Sequence, residues 1–94
     1  MAKPTKPQVL RLHNSIGRFL TSKPMLQARA ELASNPSLRK GAAADPRGFL
    51  RKQGVKVPRA LQVKISVTVR ICITVCGRLG PVTVCVTVCG EIRF

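Results

Sequence analysis

The chain has 94 residues, with 17 lysines and arginines against three acidic residues, so its formal net charge is +14. This length has room for one small domain and a tail. With a single histidine, His13, and with Glu31 and Asp45 far apart, the chain lacks a conventional acid–base pair and a histidine-rich metal site. We therefore expect a protein that is not an enzyme, with no metal site and no cofactor.

The charge is unevenly distributed between the two halves of the chain. Residues 1–64 hold fourteen of the basic residues, whereas residues 65–94 are nearly neutral and strongly apolar. No uncharged apolar stretch of about 18 residues occurs, because Lys64, Arg70 and Arg78 interrupt the apolar region. We expect no transmembrane helix. The basic, acid-poor front lacks the apolar segment of a secretory signal, and its composition keeps organelle targeting open as an alternative.

Short helices are predicted in the first half of the chain, preceded by a disordered basic tail over residues 1–7. Three prolines stand where a helix would begin, and each follows a potential capping side chain: Ser22 with Pro24, Asn35 with Pro36, and Asp45 with Pro46. Helices are predicted at about 8–20, 24–33 and 46–53. The first is amphipathic, with one apolar face formed by Val9, Leu12, Ile16, Phe19 and Leu20.

Residues 45–67 read as a capped helix, a turn and a strand. Asp45 suits the positive end of a helix, Phe49 and Leu50 supply its apolar side, and Gly54 stands where a left-handed residue would end it. After a turn at Pro58, apolar and polar residues alternate to about residue 67, which predicts a strand at about 61–67.

This segment resembles the leader of nitrile hydratase-type peptide precursors, a family of ribosomally made and enzymatically modified peptides also called proteusins. The matching positions are Asp45, Pro46, Leu50, Gly54, Val55, Val57, Pro58, Val63 and Ile65. The resemblance implies that residues 1–67 form a recognition leader and residues 68–94 a core that is modified. It also implies a peptide-modifying enzyme and an exporting peptidase or transporter as partners, with the precursor in the cytoplasm and its core exported. The recognition residues would be Asp45, Pro46, Phe49, Leu50, Gly54, Val55, Val57 and Pro58, of which Phe49, Leu50, Val55 and Val57 would dock as an apolar patch.

The last third of the chain contains a tandem repeat displaced by 13 residues, in which Val69–Gly77 recurs as Val82–Gly90. β-Branched residues fill both copies and alternate with cysteine, threonine and arginine, which predicts two strands, Val69–Val75 and Val82–Val88, joined by a turn at residues 77–81. One face would carry Val and Ile, and the other Thr and Cys. The fold class is therefore small α+β: short helices, a strand and a C-terminal β-hairpin.

The register of this hairpin decides which cysteines face each other. If paired residue numbers sum to 161, Cys72 faces Cys89 and Cys76 faces Cys85, within the distance that a disulfide bridges. We favour this register over sums of 157 and 159. A single zinc ion is a weak alternative, because residues four apart on a strand are separated by about 13 Å. Buried free thiols and enzymatic modification remain open, the latter at Cys72, Cys76, Cys85, Cys89, Thr74, Thr83 and Thr87.

Three functions follow from these features. The first is the precursor peptide implied by the resemblance. The second is a small basic protein that binds nucleic acid or an anionic surface through its many cations. The third is a structural subunit that self-associates through its Val-rich hairpin, whose apolar face needs a cover because an isolated hairpin is marginal in water.

Overall fold

The computed structural model describes residues 3–91, with the side chain of residue 91 left aside, and shows four α-helices followed by three strands. The helices are α1 (Lys6–Leu20), α2 (Lys23–Ser34), α3 (Arg39–Ala44) and α4 (Pro46–Lys52), and a 3-10 turn (Pro36–Leu38) precedes α3. The strands are β1 (Leu61–Val67), β2 (Arg70–Leu79) and β3 (Val82–Glu91). The predicted small α+β fold is confirmed.

The first helix begins earlier than predicted, because Thr5 caps it. The Gln8 N–H donates to Thr5 Oγ1 at 3.4 Å, and the Thr5 N–H donates to Gln8 Oε1 at 2.8 Å. This reciprocal capping box satisfies two backbone donors that would otherwise have no partner. The prediction of a disordered tail over residues 1–7 is therefore wrong from Thr5 onward, and residues 1 and 2 lie outside the described residues.

Two of the three predicted caps do not form side-chain caps. Only Thr21 and Ser22 separate α1 from α2, and the Ser22 hydroxyl donates backward to the Phe19 carbonyl at 2.7 Å. The Asn35 carboxamide accepts a hydrogen bond from the Ser37 hydroxyl instead of a backbone N–H. Asp45 does cap α4, accepting from the Gly48 N–H at 3.1 Å. Each side chain takes the partner that its own turn brings within reach.

The short helix α3 was not among the predicted helices, because its Arg-Lys-Gly-Ala-Ala-Ala sequence has no apolar periodicity. Arg39, its first residue, folds back on the end of α2. Its guanidinium donates to the carbonyls of Leu32 at 2.9 Å and Ala33 at 3.0 Å. A cation at the carbonyl end of a helix is favourable, so this contact positions α3 against α2.

The end of α4 has the geometry that its sequence predicts. Gly54 has a φ of +81°, and its N–H donates to the Arg51 carbonyl at 3.1 Å. The Val55 N–H donates to the Leu50 carbonyl at 2.9 Å, and both side chains are buried. This pair of bonds is a Schellman motif, which ends α4 and turns the chain toward Pro58. The Leu61 N–H then donates to the Pro58 carbonyl at 3.0 Å, which confirms the predicted turn before β1.

The three strands form an antiparallel meander in the order β1-β2-β3. The strands of the hairpin are longer and its turn tighter than predicted: β2 continues to Leu79, and only Gly80 and Pro81 connect it to β3. Gly80 has a φ of +57° and precedes a proline, which suits a two-residue hairpin turn. The predicted start at Val69 is also wrong, because this residue lies in the β1–β2 turn and is 85% exposed.

The helices cover one face of the sheet. Ile71, Ile73 and Val75 of β2 are buried in a common core with residues of the helices. The helical part of this core contains Ile16, Leu20, Met25, Ala28, Leu32, Ala42, Phe49 and Leu50. Helix α1 contacts β2 and β3, while α3 and α4 contact β1. The apolar face of the hairpin is thus covered by residues of its own chain.

Candidate functional site

The face of the sheet away from the helices carries the predicted modification residues. Along β2 the inward residues are buried, whereas Cys72, Thr74 and Cys76 between them are half-buried. On β3 the residues that alternate with the inward valines are exposed: Thr83, Cys85, Thr87 and Cys89. The period-two alternation therefore brings all seven side chains to one surface, which we call the Thr/Cys face.

Two disulfides cross this face. Cys72 is bonded to Cys89 and Cys76 to Cys85, with Cα–Cα distances of 4.0 and 4.1 Å. The numbers of paired residues in β2 and β3 sum to 161, which is the register that the sequence favours. The short Cα distances mark both as non-hydrogen-bonded pairs of the antiparallel ladder, in which opposed side chains approach closely. The predicted pairing of the four cysteines is confirmed.

A hydrogen bond joins two threonines between the bridges. Thr74 faces Thr87, and their hydroxyl oxygens are 2.8 Å apart. Thr83 lies apart from this pair, opposite Arg78 near the hairpin turn. The Thr/Cys face is therefore a row of three cross-strand links: disulfide, hydroxyl pair, disulfide.

The bridges also bear on the alternative in which the cysteines are buried free thiols. Free buried thiols are contradicted, since all four cysteines are disulfide-bonded and lie outside the core. Among residues 3–91 the structure contains no group of three or more His, Cys, Asp or Glu side chains that could hold a metal ion.

The predicted recognition segment is divided between core and surface. Phe49 and Leu50 are buried against the sheet, and so is Val55 after the turn at Gly54. In the folded chain these three side chains pack α4 against the sheet and are not exposed, and their predicted docking to an enzyme stays a prediction. Accessible surface remains at Asp45 and Pro58, which are exposed, and at Pro46 and Val57, which are half-buried.

A shallow depression joins the accessible part of this segment to the Thr/Cys face. It has a volume of about 570 Å³ and lies between the start of α4 and the middle of the sheet. Two predicted recognition residues, Asp45 and Pro46, line it together with two predicted modification residues, Thr74 and Cys76. Gln62 and Lys64 of β1 lie between these two pairs in the sheet and complete the lining with Arg47 and Val63.

Arg47, Gln62 and Lys64 were not among the predicted site residues. Arg47 follows Pro46 in α4, and its guanidinium donates to the carbonyls of Pro58 and Leu61, so it ties the helix to the entry of β1. The signal for the other two was present in the alternation of β1, which places Gln62 and Lys64 on the same face as Cys76 and Thr74. The alternation alone does not predict that these residues lie beside Cys76 and Thr74, because that depends on the pairing of β1 with β2.

Cations continue on both sides of the depression. On the helical side, Arg47 also lines a smaller depression of about 230 Å³ with Arg51 and Lys56. On the sheet side, Gln62 and Cys76 line a third depression of about 250 Å³ that includes Arg78. The basic band, defined as Arg51, Lys56, Arg47, Lys64 and Arg78, therefore runs around β1 onto the Thr/Cys face. The Asp45 carboxylate within it accepts the Gly48 N–H at the start of α4.

No helix in the described part of the chain is long and apolar enough to cross a membrane. Comparison of the chain with protein-family models, with curated proteins and with solved structures finds no match.

Proposed function

We propose that the chain is a precursor-type protein in which residues 1–67 act as a folded leader for the hairpin of residues 68–94. In this role the leader covers the Val/Ile face of the hairpin and leaves its Thr/Cys face open to a modifying enzyme. The observation that carries the proposal is the depression in which Asp45 and Pro46 lie beside Thr74 and Cys76. An enzyme bound there would contact leader and core at once.

The arrangement of the core supports this division of roles. The residues with reactive side chains, Thr and Cys, are on the open face, while the inert Val and Ile side chains face the helices. The two disulfides are themselves a first modification, which joins the strands on the side that the leader does not cover. We expect further chemistry, such as loss of water from threonine, at Thr74, Thr83 or Thr87.

The test is the intact mass of the full chain isolated without reduction from the cells that express it naturally. The proposal predicts mass changes beyond disulfide formation, mapped by fragmentation to residues 68–94, or cleavage between leader and core. A full-length chain with the mass expected for two disulfides alone would contradict it.

A matched pair of variants tests the role of the depression. Lys64→Glu reverses the charge of a residue that lines it, while Lys52→Glu makes the same change at an exposed position at the end of α4. We expect the fraction of modified chain to fall several-fold in Lys64→Glu and to remain at the wild-type level in Lys52→Glu. Equal modification in both would show that the enzyme does not use the depression.

A second candidate function, binding to a polyanion, is favoured by the basic band. Phosphate groups along a nucleic acid or an anionic surface would meet successive cations there, and such binding releases counterions. The affinity for a single-stranded oligonucleotide would then fall steeply between low and physiological salt, and Arg51→Glu with Lys56→Glu would reduce that slope. Affinity independent of salt would exclude this function.

A further inference from the structure

The outer edge of β3 has backbone groups without partners in the described part of the chain. In an antiparallel sheet the N–H and C=O of one residue point to the same side. The 4.0 and 4.1 Å Cα distances show that Cys89 and Cys85 form non-hydrogen-bonded pairs with β2, so their backbone groups point away from it. By alternation the same holds for Thr83 and Thr87. No strand described lies beyond β3, and no described residue donates to or accepts from these groups.

The two edges of the sheet differ in how they are protected. At β1, Lys64 adds a charge, and the Arg47 guanidinium occupies the Leu61 carbonyl. At β3, the nine residues Val82–Gly90 include neither a charge nor a proline. Charges and prolines are among the features that keep edge strands from pairing with other chains, and β3 has neither within this stretch, while helices contact both edge strands. The edge of β3 therefore lacks the charges that the edge of β1 carries.

We propose that β3 pairs with β3 of a second copy in an antiparallel, two-fold symmetric dimer with one continuous six-stranded sheet. The sequence of β3 is complementary to itself in this arrangement. Because valine occupies every even position from 82 to 88, a register with an even sum places valines beside valines on the helical face and Thr or Cys beside Thr or Cys on the open face.

One register pairs all four residues whose backbone groups point outward, and in it the numbers of paired residues sum to 172. It pairs Thr83 with Cys89 of the second copy and Cys85 with Thr87 of the second copy, and the symmetry repeats both pairs. Each of these pairs exchanges two hydrogen bonds, which makes about eight between the chains. The two Thr/Cys faces would then form a single surface carrying four disulfides. This pairing does not depend on the proposed function.

The charge of the chain sets the salt dependence of this dimer. Two chains of +14 repel each other, although β3 itself is neutral from Val82 to Gly90. Added salt screens that repulsion, so the dissociation constant of the dimer should fall as ionic strength rises. Binding to a polyanion through the basic band would weaken under the same change, which separates the two effects.

Sedimentation of the full-length oxidised chain tests the proposal with Thr87→Pro and Thr87→Ala. Both variants remove the hydroxyl bonded to Thr74, but only proline removes the outward N–H. We expect wild type and Thr87→Ala to form dimers, and Thr87→Pro to dissociate at least tenfold more readily. Thr83→Pro makes the same change nearer the hairpin turn and serves if Thr87→Pro does not fold. A monomeric wild type, or dimers as tight in both proline variants as in wild type, would overturn the proposal.

The register can be read directly by isotope-filtered NMR on a dimer of labelled and unlabelled chains. A cross-peak between the Hα of Val84 and the Hα of Val88 of the second copy is expected. Within one chain these residues are about 13 Å apart, at about 3.3 Å per residue, so such a peak arises only between chains. A dimer that lacks it pairs through another surface or register, and the proposed pairing would be wrong.

Discussion

At the scale of single residues, Gly54 determines where α4 ends and how the chain enters the sheet. Its φ of +81° is a conformation that side chains with a Cβ adopt only at a cost. We expect Gly54→Ala to lower the free energy of unfolding by about 1 kcal/mol in urea titration. The control is Gly41→Ala in α3, where a Cβ meets no atom within 4 Å. Since alanine favours a helix, this variant should be neutral or stabilising. If both variants lowered the free energy of unfolding equally, the role assigned to Gly54 would be contradicted.

Leu50 and Arg51 are neighbours in α4 with opposite surroundings. Leu50 is fully buried against the sheet, whereas Arg51 is exposed. Placing a carboxylate at residue 50 would bury a charge that has no partner, and the chain should lose its fold. Arg51→Glu should leave the far-ultraviolet circular dichroism spectrum unchanged. A folded Leu50→Glu variant would mean that α4 does not pack as described.

At the scale of elements, the hairpin is stabilised by its bridges to an extent that loop length predicts. The bonded residues are separated by 17 positions for Cys72–Cys89 and by 9 for Cys76–Cys85. The reference is a chain with all four cysteines replaced by serine. Each bridge alone should raise the free energy of unfolding above that of the reference by about 3 kcal/mol, and Cys72–Cys89 should raise it by about 0.5 kcal/mol more than Cys76–Cys85. Urea titration of the two single-bridge variants measures the difference. A larger effect from Cys76–Cys85 would contradict the loop-length argument.

The elements that the sequence predicts well are those with strong local signals. The period-two alternation limits the β2–β3 register to odd sums of paired residue numbers, since a slip by one residue would exchange the Val face for the Thr/Cys face. Among these, the sum of 161 is favoured because it sets all four cysteines opposite one another. The end of α4 followed from a glycine at the right position. By contrast, α3 has no apolar pattern and is positioned by Arg39, whose partners lie in α2. The depression beside the Thr/Cys face depends on the pairing of β1 with β2, which no local pattern of residues predicts.

At the scale of the whole molecule, the helices and the hairpin are one folded unit. The Val and Ile side chains of the hairpin share a core with residues from α1, α2, α3 and α4. An isolated two-stranded hairpin is marginal in water, so the helices supply the apolar cover that it lacks. We therefore expect the hairpin to lose its stable amide protection when the helices unfold, even though its disulfides remain.

Native-state hydrogen exchange of the oxidised chain tests this claim most directly. The amide of Val55 reports on the junction of α4 and β1, because it donates to the Leu50 carbonyl. The amide of Val75 reports on the hairpin, because Val75 is paired with Val86. If the two regions unfold together, the denaturant dependence of exchange should converge on the same free energy of opening for both amides. A Val75 amide that stays protected after that of Val55 has exchanged would show that the hairpin is stable without its cover, and would contradict the account.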